Sequence, residues 1–320
     1  MTDPTDLTDL TNIIRTKVVK TYICGCVRNC AQYLPAVFAN IEKIAELFDD
    51  YQIVIAYDQS TDMSLRILCD LKKRIPKLEI LVNKQAIGNV RTENIANARN
   101  QLLRYMRRQR EQSLNLDFDY FIMIDMDDVC AGTMNLDVLR KYIDIEKHNN
   151  SLDHPDNANA SPDHTNKIHW DALSFNRPIY YDAWALSLDP FISSCWHFPK
   201  GREVVYKMRR YVQERLLELT KQNAKSGRND LLLCGSAFNG FALYRMAKFE
   251  NVQYEGTVQK NLEIISRLDF ENTAKAAGQS LSWHRTDDCE HRYFHIRATQ
   301  LNGARICISP DNLFTDEVDG

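Results

Sequence analysis

The chain has 320 residues, 44% of them hydrophobic and 26% charged, with 40 Lys and Arg against 43 Asp and Glu and a formal net charge of -3 at pH 7. That composition supports a real core, excludes a disordered chain, and suits one large α/β domain or two tightly packed lobes. A nucleic-acid binder would carry a basic stripe. The basic runs here (Arg104 to Arg110, and Arg209-Arg210) are short and offset by acidic residues, and they read as solvated helix faces.

The 9 cysteines are an odd number at scattered spacings. Cys24, Cys26 and Cys234 sit in apolar runs, and Cys24-Gly25-Cys26 with Cys289 does not make a paired zinc framework. Buried free thiols in a reducing compartment are expected. The N-terminus is polar and acidic without an apolar signal region. No apolar run approaches the ~18 residues of a membrane span. The expectation is a cytoplasmic chain without a transmembrane segment.

Residues 1–16 repeat Thr-Asp-Leu and read as a flexible leader. Val18 to Val27 is a β-rich run, followed by a polar break at Arg28-Asn29-Cys30. From Tyr33 to Phe48 apolar residues recur at helical spacing, at Leu34, Val37, Phe38, Ile41, Ile44, Ala45 and Phe48. Tyr51 to Tyr57 reads as a second strand, ending in a polar turn from Asp58 to Asp62 with good helix caps. A helix from Met63 to Arg74, a strand from Leu78 to Val82, a helix from Glu93 to Arg110 and a strand from Tyr120 to Ile124 complete a repeating strand-helix pattern. This is a doubly wound α/β layout. Right-handed crossovers line up the strand carboxyl ends, so Arg28, Asp58 and Asp125 should converge on one crevice. No GxGxxG follows the first strand, which speaks against a dinucleotide fold of the usual kind.

Residues 147–168, rich in Asn, Asp, His and Pro, read as a mobile loop that closes over substrate. Beyond it, Trp170 to Phe175 and Tyr180 to Leu186 look strand-like, and Arg202 to Ala224 reads as a charged helix. Leu231 to Tyr244 mixes strand and turn signals, Asp287 to His295 forms a polar cluster, and Ala304 to Ile308 reads as a short strand. The division expected is a leader (1–16), a first α/β lobe (17–146), the loop (147–168), a second part (169–310) and a tail (311–320).

The densest chemistry is Asp125-Met126-Asp127-Asp128. Three carboxylates at the end of an apolar strand are costly unless neutralised. Alternating carboxylates suit a hard divalent cation that leaves positions open for phosphate oxygens. Capping of the next turn is the competing reading.

The run from Tyr120 to Asp128 resembles the DxD strand of GT-A glycosyltransferases. Ile95 to Asn100 resembles the helix preceding that strand, and Cys234 to Tyr244 resembles the acceptor-side segment of capsule-associated fungal mannosyltransferases and related families. Cys289-Glu290-His291 and Gly303 to Ile306 resemble the tail of such enzymes. The resemblance implies an α/β GT-A fold, with a Rossmann-like lobe, a mixed central sheet and a smaller acceptor-binding part. It implies a metal-dependent transferase moving a sugar from a UDP- or GDP-linked donor to a hydroxyl of a glycan or glycoconjugate, with Mn2+ or Mg2+ on the diphosphate.

By that resemblance Arg28, Asn29, Asp58, Arg91, Arg99 and Asp125 are donor-binding candidates. For Arg99 a structural ion pair with a sheet carboxylate weighs equally. Asp125, Asp127, His291 and His295 are metal candidates, the two histidines sharing a face if helical. Asp288 and Glu290, and more weakly Asp230, are candidate general bases. Asn239, Gly240 and Trp196 are acceptor candidates, and Trp170, Trp184 and Trp283 are further aromatic platforms. A sugar nucleotidyltransferase, a metal-dependent hydrolase and a non-catalytic nucleotide- or glycan-binding scaffold remain as alternatives.

Overall fold

The computed structural model describes residues 18–83, 88–112, 118–152, 169–280 and 285–316. The leader 1–16, residues 153–168 of the polar loop and Trp283 lie outside them.

In chain order the first half is β1 (Lys20–Val27), α1 (Leu34–Ala45), β2 (Asp50–Tyr57), α2 (Ser64–Arg74), β3 (Leu78–Val82), α3 (Arg91–Gln112) and β4 (Tyr120–Asp125). The second half is α4 (Leu136–Leu152), β5 (Ala172–Asn176), α5 (Gly201–Ser226), β6 (Leu232–Cys234), β7 (Phe241–Arg245), α6 (Val258–Ile264), α7 (Arg267–Ala277), α8 (Glu290–Asn302) and β8 (Ile306–Asn312). The described strands form one sheet in the order β3-β2-β1-β4-β7-β5-β8-β6. β1 to β4 are mutually parallel, β7 runs antiparallel between β4 and β5, and β6 closes the far edge antiparallel to β8. The fold is thus α/β, as the strand-helix alternation predicted, and its sheet is mixed, as the resemblance implied.

Strand periodicity divides the core. Ile23, Ile53 and Ile122 point to one face, under Val37, Ile41 and Ile44 of α1, Leu68 of α2 and Leu139 of α4. Tyr22, Cys24, Val54, Phe121 and Met123 point to the other, under Leu102, Leu103 and Met106 of α3 and Phe294 of α8. A third core packs Val204, Met208, Val212 and Leu216 of α5 against Leu186, Phe198 and Ile308. Helices α1, α3 and α5 present apolar stripes at spacings of three and four residues.

Three expectations change. The segment Tyr180 to Leu186 is a loop. Its backbone is satisfied by side chains instead of a ladder: Tyr181 and Asp182 N–H donate to Asn239 Oδ1, and the Tyr181 carbonyl accepts from Arg209. The polar stretch expected to be a loop from 147 begins as helix, because α4, seated on Leu139, Tyr142 and Ile143, runs on to Leu152. The expected tail from 311 is built into the fold: Leu313 and Phe314 are buried, Phe314 pairs with Met134, and Asp311 accepts from Lys141. Helices α6 and α7 went unread despite clear start signals, a Thr257 cap and a Ser266–Asp269 capping box closed by Gly278.

All nine cysteines are free, and no described helix is long and apolar enough to cross a membrane.

One buried polar residue on α1 holds the turn after β4. Asn40 Nδ2 donates to the Cys130 carbonyl at 3.0 Å and to the Gly132 carbonyl at 2.8 Å. Asn40→Ala should leave both carbonyls unpaired and lower stability by about 1–3 kcal/mol, measured by urea unfolding. A loss within experimental error would show that water replaces the amide.

Candidate active site

Strand order reverses at β1, with β2 on one side and β4 on the other. A crevice opens beyond the carboxyl ends of strands at such a switch point. Here it is a cleft of about 360 Å³. β1 supplies Cys26 and Val27, and Arg28 follows it; Asp58 follows β2, Asp125 ends β4, and Met126 and Asp127 come next. Arg91 and Arg99 come from α3, Tyr181, Asp182 and Trp184 from the loop after β5, and Glu290 and His291 from the start of α8.

Arg99 is the electrostatic centre. It is buried, donates through Nη2 to Asp125 Oδ1 at 3.2 Å, and forms a close ion pair through Nη1 with Glu290 Oε1. Its guanidinium lies 4.9 Å from the Phe238 ring centroid and 5.7 Å from that of Tyr254. Burial disfavours its charge, and Glu290 and Asp125 more than compensate. Arg99 is therefore paired with protein carboxylates, as its ion-pair reading expected, while it also lines the cleft.

Asp125 also accepts from the Tyr181 hydroxyl at 3.1 Å. Burial and then repulsion from Asp127 push its carboxyl up to about 7, against the pull of Arg99. Asp127 is raised too, by burial and by Asp128, while the Val129 N–H and Arg91 oppose the rise. Asp127 Oδ1 accepts from Val129 N at 3.3 Å, so it caps the short turn after β4 while also facing the cleft. Asp128 is exposed. Among the described residues no three His, Cys, Asp or Glu side chains gather to hold a metal by themselves. A cation here would rest on Asp125 and Asp127 and take further oxygens from its ligand.

Two cations of the cleft, Arg28 and Arg91, stand outside this pair network. Both are exposed at the cleft and make no side-chain hydrogen bond or ion pair with the described residues. Asp58 lines the cleft and accepts from Asn83 Nδ2 at 2.7 Å. Asn29 is not in the lining. It sits at φ 56° and accepts from Thr61 N at 2.8 Å, stitching the β1 turn to the β2 turn.

The C-terminal candidates separate. His295 is fully buried, with Ser236 Oγ 2.9 Å from Nδ1 and Tyr244 Oη 3.0 Å from Nε2, so neither nitrogen is open to a metal. Burial pushes it down to about 3. His291 lines the cleft, stacks on Phe238 at 3.8 Å, and has neither ring nitrogen hydrogen-bonded. Burial, with Arg99 adding, keeps it neutral. Asp288 does not reach the cleft. It is fully buried between His197 at 3.5 Å and Arg292 at 3.6 Å, and its Oδ1 accepts from Cys289 N. Asp230 pairs with Arg228 at the far end of α5.

Asn239 and Gly240 stand behind the cleft wall. Asn239 positions Tyr181 and Asp182 through its amide oxygen and donates to the Phe175 carbonyl at 3.0 Å. Gly240, at φ 85°, presents its carbonyl to Asp125 N at 2.9 Å, and a Cβ there would strike Val129. Trp170 is core. Trp196 lines a neighbouring hollow.

Sequence reasoning missed Tyr181 and Asp182. Asp182 faces the cleft and accepts from Ala185 N at 3.0 Å through Oδ1. Its other oxygen has no partner among the described residues. Burial raises its pKa, with Glu290 adding and the Ala185 N–H opposing. The available signal was an acid inside the aromatic run Tyr180-Tyr181-Asp182-Ala183-Trp184.

The family model for Glycosyl transferase family 2 matches residues 22–252. No curated protein matches the chain. Among solved structures it is similar to S. aureus TarS 1-349 in complex with UDP-GlcNAc, at 12% identity and a TM-score of 0.44, over 94% of this chain and 60% of that one. It is also similar to the mannosyltransferase PcManGT from Pyrobaculum calidifontis in complex with GDP-Man and Mn2+, at 12% identity and a TM-score of 0.39, over 92% and 58%. The chain thus spans about three fifths of the length of these structures.

Two outcomes follow from the charge cluster. Arg99→Met should strand Asp125 and Glu290 and cost about 3–5 kcal/mol in urea unfolding; a loss below 1 kcal/mol would show that water already screens the pair. Native Asp125 keeps its proton up to about 7, whereas the unfolded carboxyl releases it near 3.8. Between those values the native state holds more protons, so its contribution to stability falls as pH rises through the window. Melting temperature in EDTA should therefore drop from pH 5 to pH 7.5, with a shallower slope in Asp125→Asn; equal slopes would assign the effect to another group.

Proposed function

The chain belongs to glycosyl transferase family 2, and from that premise we propose that it transfers a sugar from a UDP- or GDP-linked donor, bound in this cleft, to a hydroxyl of a glycan or glycoconjugate. The observation that carries the reading is the pairing, at one switch-point crevice, of two unengaged guanidiniums, Arg28 and Arg91, with the crowded carboxylates Asp125 and Asp127. Closer kinship with the capsule-associated fungal mannosyltransferases belongs to the same proposal.

The cleft's donor set fits a hard divalent cation. Its carboxylate oxygens are held near one another at a cost that burial and mutual repulsion impose, and a cation relieves that cost. Asp125 and Asp127 are the residues to hold Mn2+ or Mg2+, with His291 the remaining candidate from α8. When bound, the ion neutralises charge on the departing diphosphate. Arg28 and Arg91 bind diphosphate oxygens, which suits the planar fork of arginine. Asp58 contacts the base or ribose.

Asp182 is the candidate general base. It is half-buried, faces the cleft and makes no ion pair with the described residues, whereas Glu290 is tied to Arg99 and Asp288 lies outside the cleft. In the proposed step Asp182 takes the acceptor hydroxyl proton, the acceptor oxygen bonds to the anomeric carbon, and the carbon–phosphate oxygen bond breaks with its electron pair leaving on the nucleoside diphosphate. One such displacement inverts the anomeric centre. Arg99 and Glu290 act as positioning residues for Asp125.

The test is a thermal-shift screen of UDP, GDP and their sugars with and without Mn2+. One nucleotide should raise the melting temperature only with metal, and Asp127→Ala should abolish that shift. No shift with any nucleotide would defeat the donor reading. In the same assays Asp182→Asn should keep the shift and lose about 10²–10⁴-fold in turnover. For the wild type kcat/KM should fall as acid protonates Asp182, above the usual carboxylate range. An Asp182→Asn enzyme with near-normal turnover would move the base elsewhere.

A further inference from the structure

A second hollow of about 470 Å³ lies beside the cleft, lined by Trp196, Phe198, Pro199, Lys200, Arg202 and Arg285 among others. One arginine lying over two indoles joins the two. Trp184 lines the cleft. The Arg285 guanidinium lies over both rings, 5.4 Å from the Trp184 centroid and 5.3 Å from the Trp196 centroid. Cleft, Trp184, Arg285, Trp196 and hollow form a continuous wall.

The arrangement is held in place from several sides. Asp287 grips Arg285 with both oxygens, at 2.9 Å from Nε and 2.9 Å from Nη2. Asp287 is itself bridged to Thr257, the cap of α6. The Trp184 carbonyl accepts from the buried Arg292. The Trp196 backbone N–H donates to Ser194 Oγ at 3.3 Å, and the Trp196 ring packs so close to Gly201 that a Cβ there would collide with it. Both indoles are nonetheless partly exposed. Rigid aromatic surface with cationic donors along its edge matches a sugar ring, which offers apolar C–H patches and peripheral hydroxyls. A buried arrangement made only for stability would not open into a hollow on one side and the cleft on the other.

We propose that this wall is an extended acceptor subsite, and that the acceptor is an oligosaccharide of three or more units: its reactive end lies in the cleft, and a preceding sugar rests against Trp196 in the hollow. The proposal rests on the transferase reading above for the identity of the cleft, but it concerns glycan binding, which is measured separately.

The probe is a panel of mono- to pentasaccharides of mannose, glucose and N-acetylglucosamine, titrated into the full chain and followed by saturation-transfer NMR, alongside the nucleotide thermal shift. At least one series should bind roughly tenfold more tightly as a trisaccharide than as a monosaccharide, the worth of one aromatic contact. Trp196→Ala should remove that length advantage, Trp196→Phe should retain most of it, and both variants should keep the nucleotide shift and the wild-type affinity for the monosaccharide. Length-independent binding, an unaltered length advantage in Trp196→Ala, or no binding by any member of the panel would overturn the proposal. Loss of the nucleotide shift in the wild type would instead defeat the donor reading, and leaves the glycan result to stand by its own titration.

Discussion

The ion-pair bridge through Arg99 is the constraint on which the site depends. A guanidinium buried between a strand end and a helix start joins parts of the chain 191 residues apart, from α3 to α8. Asp125 and Glu290 sit in that low-dielectric setting only because Arg99 is there, and Arg99 keeps its charge only because they are. With both terminal nitrogens of that guanidinium engaged by protein carboxylates, the cleft cations among the described residues that make no ion pair are the exposed ones, Arg28 and Arg91. Charge in the cleft is thus divided by depth: a closed pair network below, unpaired arginines above.

Around that centre, small polar devices aim the walls. Gly240 brings a carbonyl against the Asp125 amide from the neighbouring antiparallel strand, a place no Cβ fits. Asn239 turns the loop after β5 so that Tyr181 reaches Asp125 and Asp182 faces the cleft. Asn40 fixes the turn after β4 from the opposite face. Each side chain acts on backbone of a distant element, so site geometry and fold stability are coupled. Substitutions at these positions are expected to alter both.

The parallel half of the sheet was readable because each of its elements is local. A strand buried on both faces shows as an apolar run, and an amphipathic helix shows its own period, so β1 to β4 and α1 to α3 appear where periodicity puts them. The crevice was readable too, since right-handed crossovers bring the ends of β1, β2 and β4 to one edge. The second half was harder. Tyr180 to Leu186 has strand-like composition, but its amides are claimed by Asn239, 58 residues away from Tyr181. Asp288 and Glu290 are two residues apart and look equivalent in sequence. One turns inward to Arg292 and the other to Arg99, because α8 begins at Glu290. His291 and His295 share a helix face as their spacing required, yet one meets the cleft and the other is enclosed by Ser236 and Tyr244.

What the sequence determined by itself was the set of local conformations, the α/β class and the carboxylate-rich strand end, since these follow from periodicity and from chemistry concentrated in a few adjacent residues. What only the tertiary structure decided was partnership. It made Arg99 a bridge and left Arg28 and Arg91 without an ion pair among the described residues, sent Asp182 to the cleft and Asp288 away from it, and set Arg285 over two indoles. Partnership depends on which distant elements pack together, and burial then strengthens the interactions that result, so equivalent residue types acquire unlike roles.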